Sequence, residues 1–307
     1  LAMQARLGQE SQRKGCRNMS SEVANELTSK LIVDGTKIGW HKDRVEAWMR
    51  GERVAPITMD ISWSRRCNAA CSFCAAKTQA SASPSLDIPR EKAWEFLEDA
   101  AEIGVKGISL ISDGESTLVD YYADSIEYAG KLGIKIGLGS NGIALERPLL
   151  ERILPHVSYL RFNFSAGTKK RYSEIMGVKP AIYDKVAQNI RDAMDIVNSR
   201  GLDCNVNMNL VLEPKDSDQL LPFSKLAKEL GVHYAVVKQC AIDDDGMIKV
   251  NYDDYDALKP VLSECESLTD DNTKIIVKWT RLTAKRQYTK CFGPPFLLQM
   301  SGNGLIA

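Results

Sequence analysis

Ile57-Thr58-Met59-Asp60-Ile61-Ser62-Trp63 reads as a short, apolar, β-branched strand. Ser64-Arg65-Arg66-Cys67-Asn68-Ala69-Ala70-Cys71-Ser72-Phe73-Cys74 follows it directly. Three cysteines therefore stand at C-x3-C-x2-C spacing in the loop leaving the strand's carboxyl end. Downstream, short apolar runs alternate with longer helical stretches. A helix is expected over about 90–103, with Trp94, Leu97 and Ala101 on one buried stripe and Gly104 closing it. Strands are expected at 107–112, 134–138, 159–164, 204–212 and 234–238. One intervening helix ends at Gly133, one carries Val186, Ile190, Ala193 and Val197 on a single face and ends at Gly201, and one over 220–230 is closed by Gly231. Six β/α units in succession predict a parallel sheet with right-handed crossovers, as an open or partial barrel or a doubly wound sheet. In either, ligands bind beyond the carboxyl ends of the strands, so the residues just after each strand carry the functional reading.

The rest of the chain bounds that reading. Its 307 residues hold 40 basic and 40 acidic side chains, a formal net charge of zero, and 44% hydrophobic residues. Such a chain buries a sizeable core and is not disordered. Zero net charge gives no global field to recruit nucleic acid or anionic lipid. No apolar run reaches the roughly 18 residues that a spanning helix needs. Eight cysteines are too dilute for a disulfide scaffold. The first eighteen residues lack an apolar signal core, so the expected compartment is the reducing cytoplasm. Residues 1–18, including Cys16, read as a leader, and Met19 as a plausible start. Residues 19–52 read as a helical segment, with a turn at Asp34-Gly35 and a second helix around 41–49.

Three thiolates within one loop can converge on a single centre. A structural zinc wants four ligands, commonly from paired C-x2-C motifs. An iron–sulfur cluster can use three thiolates and leave one iron open. No fourth ligand stands nearby in sequence: His41 precedes the strand, and Cys240 is distant. The other strand ends carry polar turns: Ser112-Asp113-Gly114-Glu115-Ser116, Ser140-Asn141-Gly142 and Asn163-Phe164-Ser165. Asn207 and Asn209, two apart in the fifth strand, share one face.

Taken together, these residues resemble the radical S-adenosylmethionine (SAM) superfamily over about residues 55–240. The resemblance implies a partial (β/α)6 barrel. It implies a [4Fe–4S] cluster held by Cys67, Cys71 and Cys74, whose open iron is chelated by the amino and carboxylate groups of SAM. Reductive cleavage would then give a 5′-deoxyadenosyl radical that abstracts hydrogen from substrate. Phe73 occupies the family's aromatic position before the third cysteine, against the adenine region. Asp113, Gly114 and Glu115 stand where the family has a Gly-Gly-Glu-like turn that meets the SAM ammonium, with Asp113 replacing the first glycine. Ser140 and Asn141 resemble the family's turn after the third strand. Asn163 and Ser165, with Asn207 and Asn209, are candidate contacts to the rest of SAM. An external electron donor such as flavodoxin or ferredoxin is implied. A non-catalytic zinc or electron-transfer module on an α/β scaffold is the alternative of another class.

Residues 241–307 read as a small α+β extension: an acidic turn at Asp243-Asp244-Asp245-Gly246, a helix near 255–267 and a strand at 275–279. Cys291, a strand at 296–300 and the turn Gly302-Asn303-Gly304 resemble the opening of a SPASM or twitch extension, which binds auxiliary iron–sulfur clusters. The next cysteine of that pattern is expected just past Ala307, so the extension reads as truncated, with Cys291 an auxiliary ligand and the hairpin an unpaired edge. Cys204 and Cys265 read as structural, and Cys240 as a possible substrate or cluster contact. His156 and His233 fall at the opposite strand ends and read as structural. Segment 19–52 is too short and too helical for a winged-helix peptide-recognition domain. This favours a small-molecule or carbohydrate-type substrate over the peptide of a SPASM-type maturase.

Overall fold

The computed structural model describes residues 36–74, 87–111, 113–240, 250–283 and 289–306. The leader with Cys16, Met19, the Asp34-Gly35 turn, Ser112 and the acidic turn at 243–246 lie outside them. The chain divides into two compact units, one ending at Val54 and one over Ala55–Ala307. In the first, a 3-10 turn at Thr36–His41 runs into helix α1, Lys42–Met49, which has no buried side chain.

The second unit is built on one parallel sheet. Its strands are β1 (Thr58–Ile61), β2 (Gly107–Leu110), β3 (Lys135–Ser140), β4 (Val157–Asn163), β5 (Asn205–Leu212), β6 (Tyr234–Gln239), β7 (Lys274–Val277) and β8 (Leu297–Met300). Their order is β7-β6-β5-β4-β3-β2-β1-β8, every neighbouring pair is parallel, and the sheet is not closed. The helices are α2 (Arg90–Glu102), α3 (Tyr122–Lys131), α4 (Arg147–Ile153), α5 (Lys169–Met176), α6 (Ala181–Arg200), α7 (Leu220–Leu230) and α8 (Lys259–Ser267). This is the partial α/β barrel expected, extended at both edges. The strand expected at 275–279 ends at Val277 and joins the barrel sheet beside β6; Trp279 opens a 3-10 turn instead. The segment 296–300 is not the unpaired edge of a hairpin. Its residues 297–300 pair in parallel with β1, while Met300 bridges antiparallel to Ile306.

Alternation along each strand explains why the sheet forms. Met59 and Ile61, Ile108 and Leu110, Leu160 and Phe162, and Met208 and Leu210 are buried on one face. In α6, Val186, Ile190, Ala193 and Val197 are all buried, as the periodicity predicts, and Gly201 ends the helix in the left-handed region. In α2 the buried stripe is Ala93, Leu97 and Ala100: Leu97 is as expected, and Ala93 and Ala100 take the places expected for Trp94 and Ala101. The small alanines let the helix approach closely. The larger Trp94 is moved to the flank, where its ring stacks on Tyr128 at 5.4 Å and lies under Arg90.

Candidate active site

The loop after β1 is held by six other elements. From α5, Met176 O accepts from Ala70 N (3.1 Å) and Ile175 O from Ser72 N (2.8 Å). From the turn after β2, Glu115 N donates to Arg66 O (2.7 Å). Three glycines permit this closeness. A Cβ on Gly177 would lie 2.3 Å from Ala70 O, one on Gly114 2.2 Å from Ser64 O, and one on Gly302 2.4 Å from Ser64 C. Gly114 and Gly177 also have positive φ, which only glycine adopts cheaply. Arg66 pairs with Asp87 and donates to Leu118 O (3.0 Å). Ser72 donates to Glu213 Oε1 (2.8 Å), just past β5. Cys240 Sγ, past β6, lies 3.9 Å from Phe73 O.

Cys67, Cys71 and Cys74 are free and half-buried in this loop. Burial pushes the Cys67 thiol up. Burial, then the mutual repulsion of the Cys67 and Cys74 thiolates, pushes Cys71 up to about 12. Thiolates at Cys67 and Cys71 are stable only against positive charge, which is what an iron centre supplies. Among the described residues no three Cys, His, Asp or Glu side chains converge closely enough to hold a single metal ion. A cubane, which spreads its irons over separate corners, suits such thiols better than one tetrahedral zinc does.

Glu115 is buried and bridges two strand ends. Its Oε1 accepts from the Ser140 (3.0 Å) and Thr117 (2.9 Å) hydroxyls, and its Oε2 from Asn141 N (2.7 Å). Burial raises its pKa against these hydrogen bonds. Asn141 Nδ2 donates to Asn68 Oδ1 (2.6 Å) and lies 3.8 Å from Cys67 Sγ. We expect Glu115→Ala to leave the Asn141 amide and two hydroxyls without their acceptor. It should destabilise the fold by about 3 kcal/mol, read as a lower urea midpoint. An unchanged midpoint would refute the bridge.

Asp113 meets the turn after β8. Its oxygens accept from the Ser301 hydroxyl (2.6 Å) and Gly302 N (2.7 Å), tying β8's turn to that of β2. Ser165 is buried and accepts from Val211 N (3.1 Å). Asn163 and Asn209 are register partners on β4 and β5. Phe73 packs at the edge of the core. Cys291 is exposed; Cys204 and Cys265 are buried. His156 lies in the turn before β4, and His233 accepts from Val206 N (2.9 Å) before β6. Both stand at the amino ends of the strands.

Sequence reading missed Asn68, Glu213 and two cations within the sheet. Glu213 stands immediately after β5 and was open to the strand-end rule. Arg161 on β4 and Lys238 on β6 lie on the face opposite the apolar one, with Asn207 and Asn209. Burial, then Arg161 and Arg281, hold the Lys238 ammonium down to about 8. An unfolded lysine titrates near 10.5, so between these values the unfolded chain binds the extra proton and stability rises with pH. We expect Lys238→Met to abolish that rise and to gain up to about 2 kcal/mol at neutral pH, after allowance for solvent screening. Urea midpoints across the window check this; parallel pH profiles for the two proteins would refute it.

A model of the Radical SAM superfamily matches residues 61–221. No curated protein is significantly similar to the chain in sequence. Among solved structures, the fold is similar to that of Streptococcus suis SuiB bound to S-adenosylmethionine, at 17% identity and TM-score 0.66, over 99% of this chain and 70% of that one. SuiB bound to the precursor peptide SuiA is similar at 16% identity and TM-score 0.66, over 99% and 70% of the two chains. Native anSMEcpe with bound AdoMet is similar at 15% identity and TM-score 0.60, over 82% and 73%. Among the described residues, no helix is long and apolar enough to cross a membrane.

Proposed function

Because the chain belongs to the radical SAM superfamily, whose members use a [4Fe–4S] cluster and SAM, we propose that it cleaves SAM reductively at Cys67, Cys71 and Cys74 and acts on a small-molecule or carbohydrate-type substrate. The observation carrying this is the clamped loop itself. Three thiols, of which Cys67 and Cys71 are disfavoured as lone anions, stand in a loop fixed by the ends of β2, β3, β5, β6 and β8 and by α5. When bound, the cluster and SAM supply reductive C–S cleavage and, from it, hydrogen-atom abstraction. The chain's own part is positional. Glu115 fixes the β2 and β3 turns against each other, and Asn141 meets the loop beside Cys67. Phe73, Gly114, Ser140, Asn163 and Ser165 are proposed SAM contacts, and Asn207 and Asn209, which share a face with Arg161 and Lys238, are left to the substrate. Asp113 supports them through Ser301 and Gly302. An external donor such as flavodoxin or ferredoxin would supply the electron.

Anaerobic reconstitution followed by reduction tests this reading. A brown protein that forms 5′-deoxyadenosine from SAM is expected. A colourless protein that holds zinc and leaves SAM intact would sink it. Deuterium transfer from labelled candidate substrates into 5′-deoxyadenosine then identifies the substrate. A second reading, a peptide-modifying maturase, draws support from the likeness to SuiB in complex with SuiA. Exposed Cys291 is proposed as an auxiliary-cluster ligand. About four irons per chain in the natural protein would leave no room for that second cluster.

A further inference from the structure

The sheet face opposite the apolar core carries charge that the SAM site does not use. Gly139, Arg161, Asn207 and Tyr234 are aligned across β3 to β6, Asn163 with Asn209 one step further, and Val211 with Lys238 beyond. Gly139 makes room: a Cβ there would come 3.0 Å from Arg161 Nη2. Asn207 is 0% exposed and Asn209 2%. Arg161 Nε, Asn207 Oδ1 and Asn209 Nδ2 are buried with no hydrogen-bond partner, and the Asn207 amide N–H faces the Tyr159 phenol. Among the described residues, neither Arg161 nor Lys238 has a carboxylate in salt-bridge contact. Arg161 feels first the Tyr159 phenol and then Asp60 on β1, neither of them in ion-pair contact, while Arg281 adds further positive charge near Lys238. Burying cations and amide donors without partners costs free energy, so their retention together points to a ligand.

We propose that this face binds an oxyanion of the substrate, a carboxylate, held between Arg161 and Lys238 with the amides of Asn207 and Asn209 as neutral donors. The proposal deepens the function proposed above and rests on a substrate meeting this face of the barrel. A planar guanidinium and amide donors match the two oxygens of a carboxylate. The nearby Asp60 charge and the unpartnered Asn207 Oδ1 both oppose a phosphate dianion. SAM carries a carboxylate of its own, and the test must separate the two sources.

The reconstituted protein is dialysed to equilibrium against radiolabelled succinate, with and without saturating SAM, and with succinamide as the neutral competitor. Saturable succinate binding is expected, unaffected by SAM and by succinamide, and weakened about tenfold or more by Arg161→Gln. No binding to the unaltered protein overturns the proposal. Displacement of succinate by SAM also overturns it, because the cations would then serve the SAM carboxylate. Reductive SAM cleavage on the same preparation reports separately: succinate binding without cleavage would sink the catalytic reading and leave the anion site standing.

Discussion

Cys71→Ala is expected to leave the protein folded but colourless, with bound iron lost and 5′-deoxyadenosine formation at least about a hundredfold down. That factor is the upper range for losing a residue that merely supports a metal ligand, so a ligand itself sets it as a floor. Cys71 lies between the other two cysteines of the loop in sequence, and its thiol is pushed to about 12 by burial and by its two neighbours. Its Sγ rests 3.9 Å from Met176 Sδ at the end of α5. Alanine removes a small, half-buried atom and leaves the backbone bonds of Ala70 and Ser72 to α5 intact. Stability without metal should therefore change by less than about 1 kcal/mol. Iron determination, the visible spectrum and anaerobic SAM cleavage are the measurements. Retention of iron and of cleavage would remove Cys71 from the cluster.

Gly114→Ala is expected to cost about 3 kcal/mol in the apoprotein and to impair cluster loading. Gly114 sits at φ 67, where a side chain is strained by about 1–2 kcal/mol. The new methyl would also stand 2.2 Å from Ser64 O and 2.7 Å from Arg65 C. Both are backbone atoms of the cysteine loop and can yield only if the loop moves, which adds about 1–3 kcal/mol. A fall in melting temperature of about 10 °C follows for a domain of this size. Gly201→Ala is the comparison: φ is similarly positive, at 59, but nothing lies within 4 Å of its Cβ. Gly201→Ala should show the backbone strain alone and retain iron. Equal losses in the two variants would mean that Gly114 serves only its own turn.

The barrel was legible because parallel strands and their covering helices keep different periods. The Val186-Ile190-Ala193-Val197 stripe, the glycines ending α6 and α7, and the cysteine loop after β1 all declare themselves locally. The stripe of α2 was legible at Leu97 but not at its two ends, since periodicity counts Trp94 as apolar without its volume. The cation face was missed for another reason. Arg161 and Lys238 alternate correctly with buried apolar neighbours, and alternation alone does not distinguish solvent from an enclosed polar face. The partners of Asp113 were not legible either. Its carboxylate finds Ser301 and Gly302, which stand far away in sequence and next door in space. Likewise, nothing local marks β8 as the neighbour of β1.

That last pairing sets an order of events during synthesis. The cysteine loop emerges from the ribosome together with β1, but Ser301 and Gly302, which close over Ser64 and reach Asp113, emerge only after all the strands from β2 to β7 have been made. Through that interval β1 lacks one of its two strand neighbours, and the loop stays open on the side that β8 later covers. A scaffold delivering iron and sulfide to the nascent chain would meet an accessible set of thiols. The same scaffold arriving after release would have to work against a fastened one.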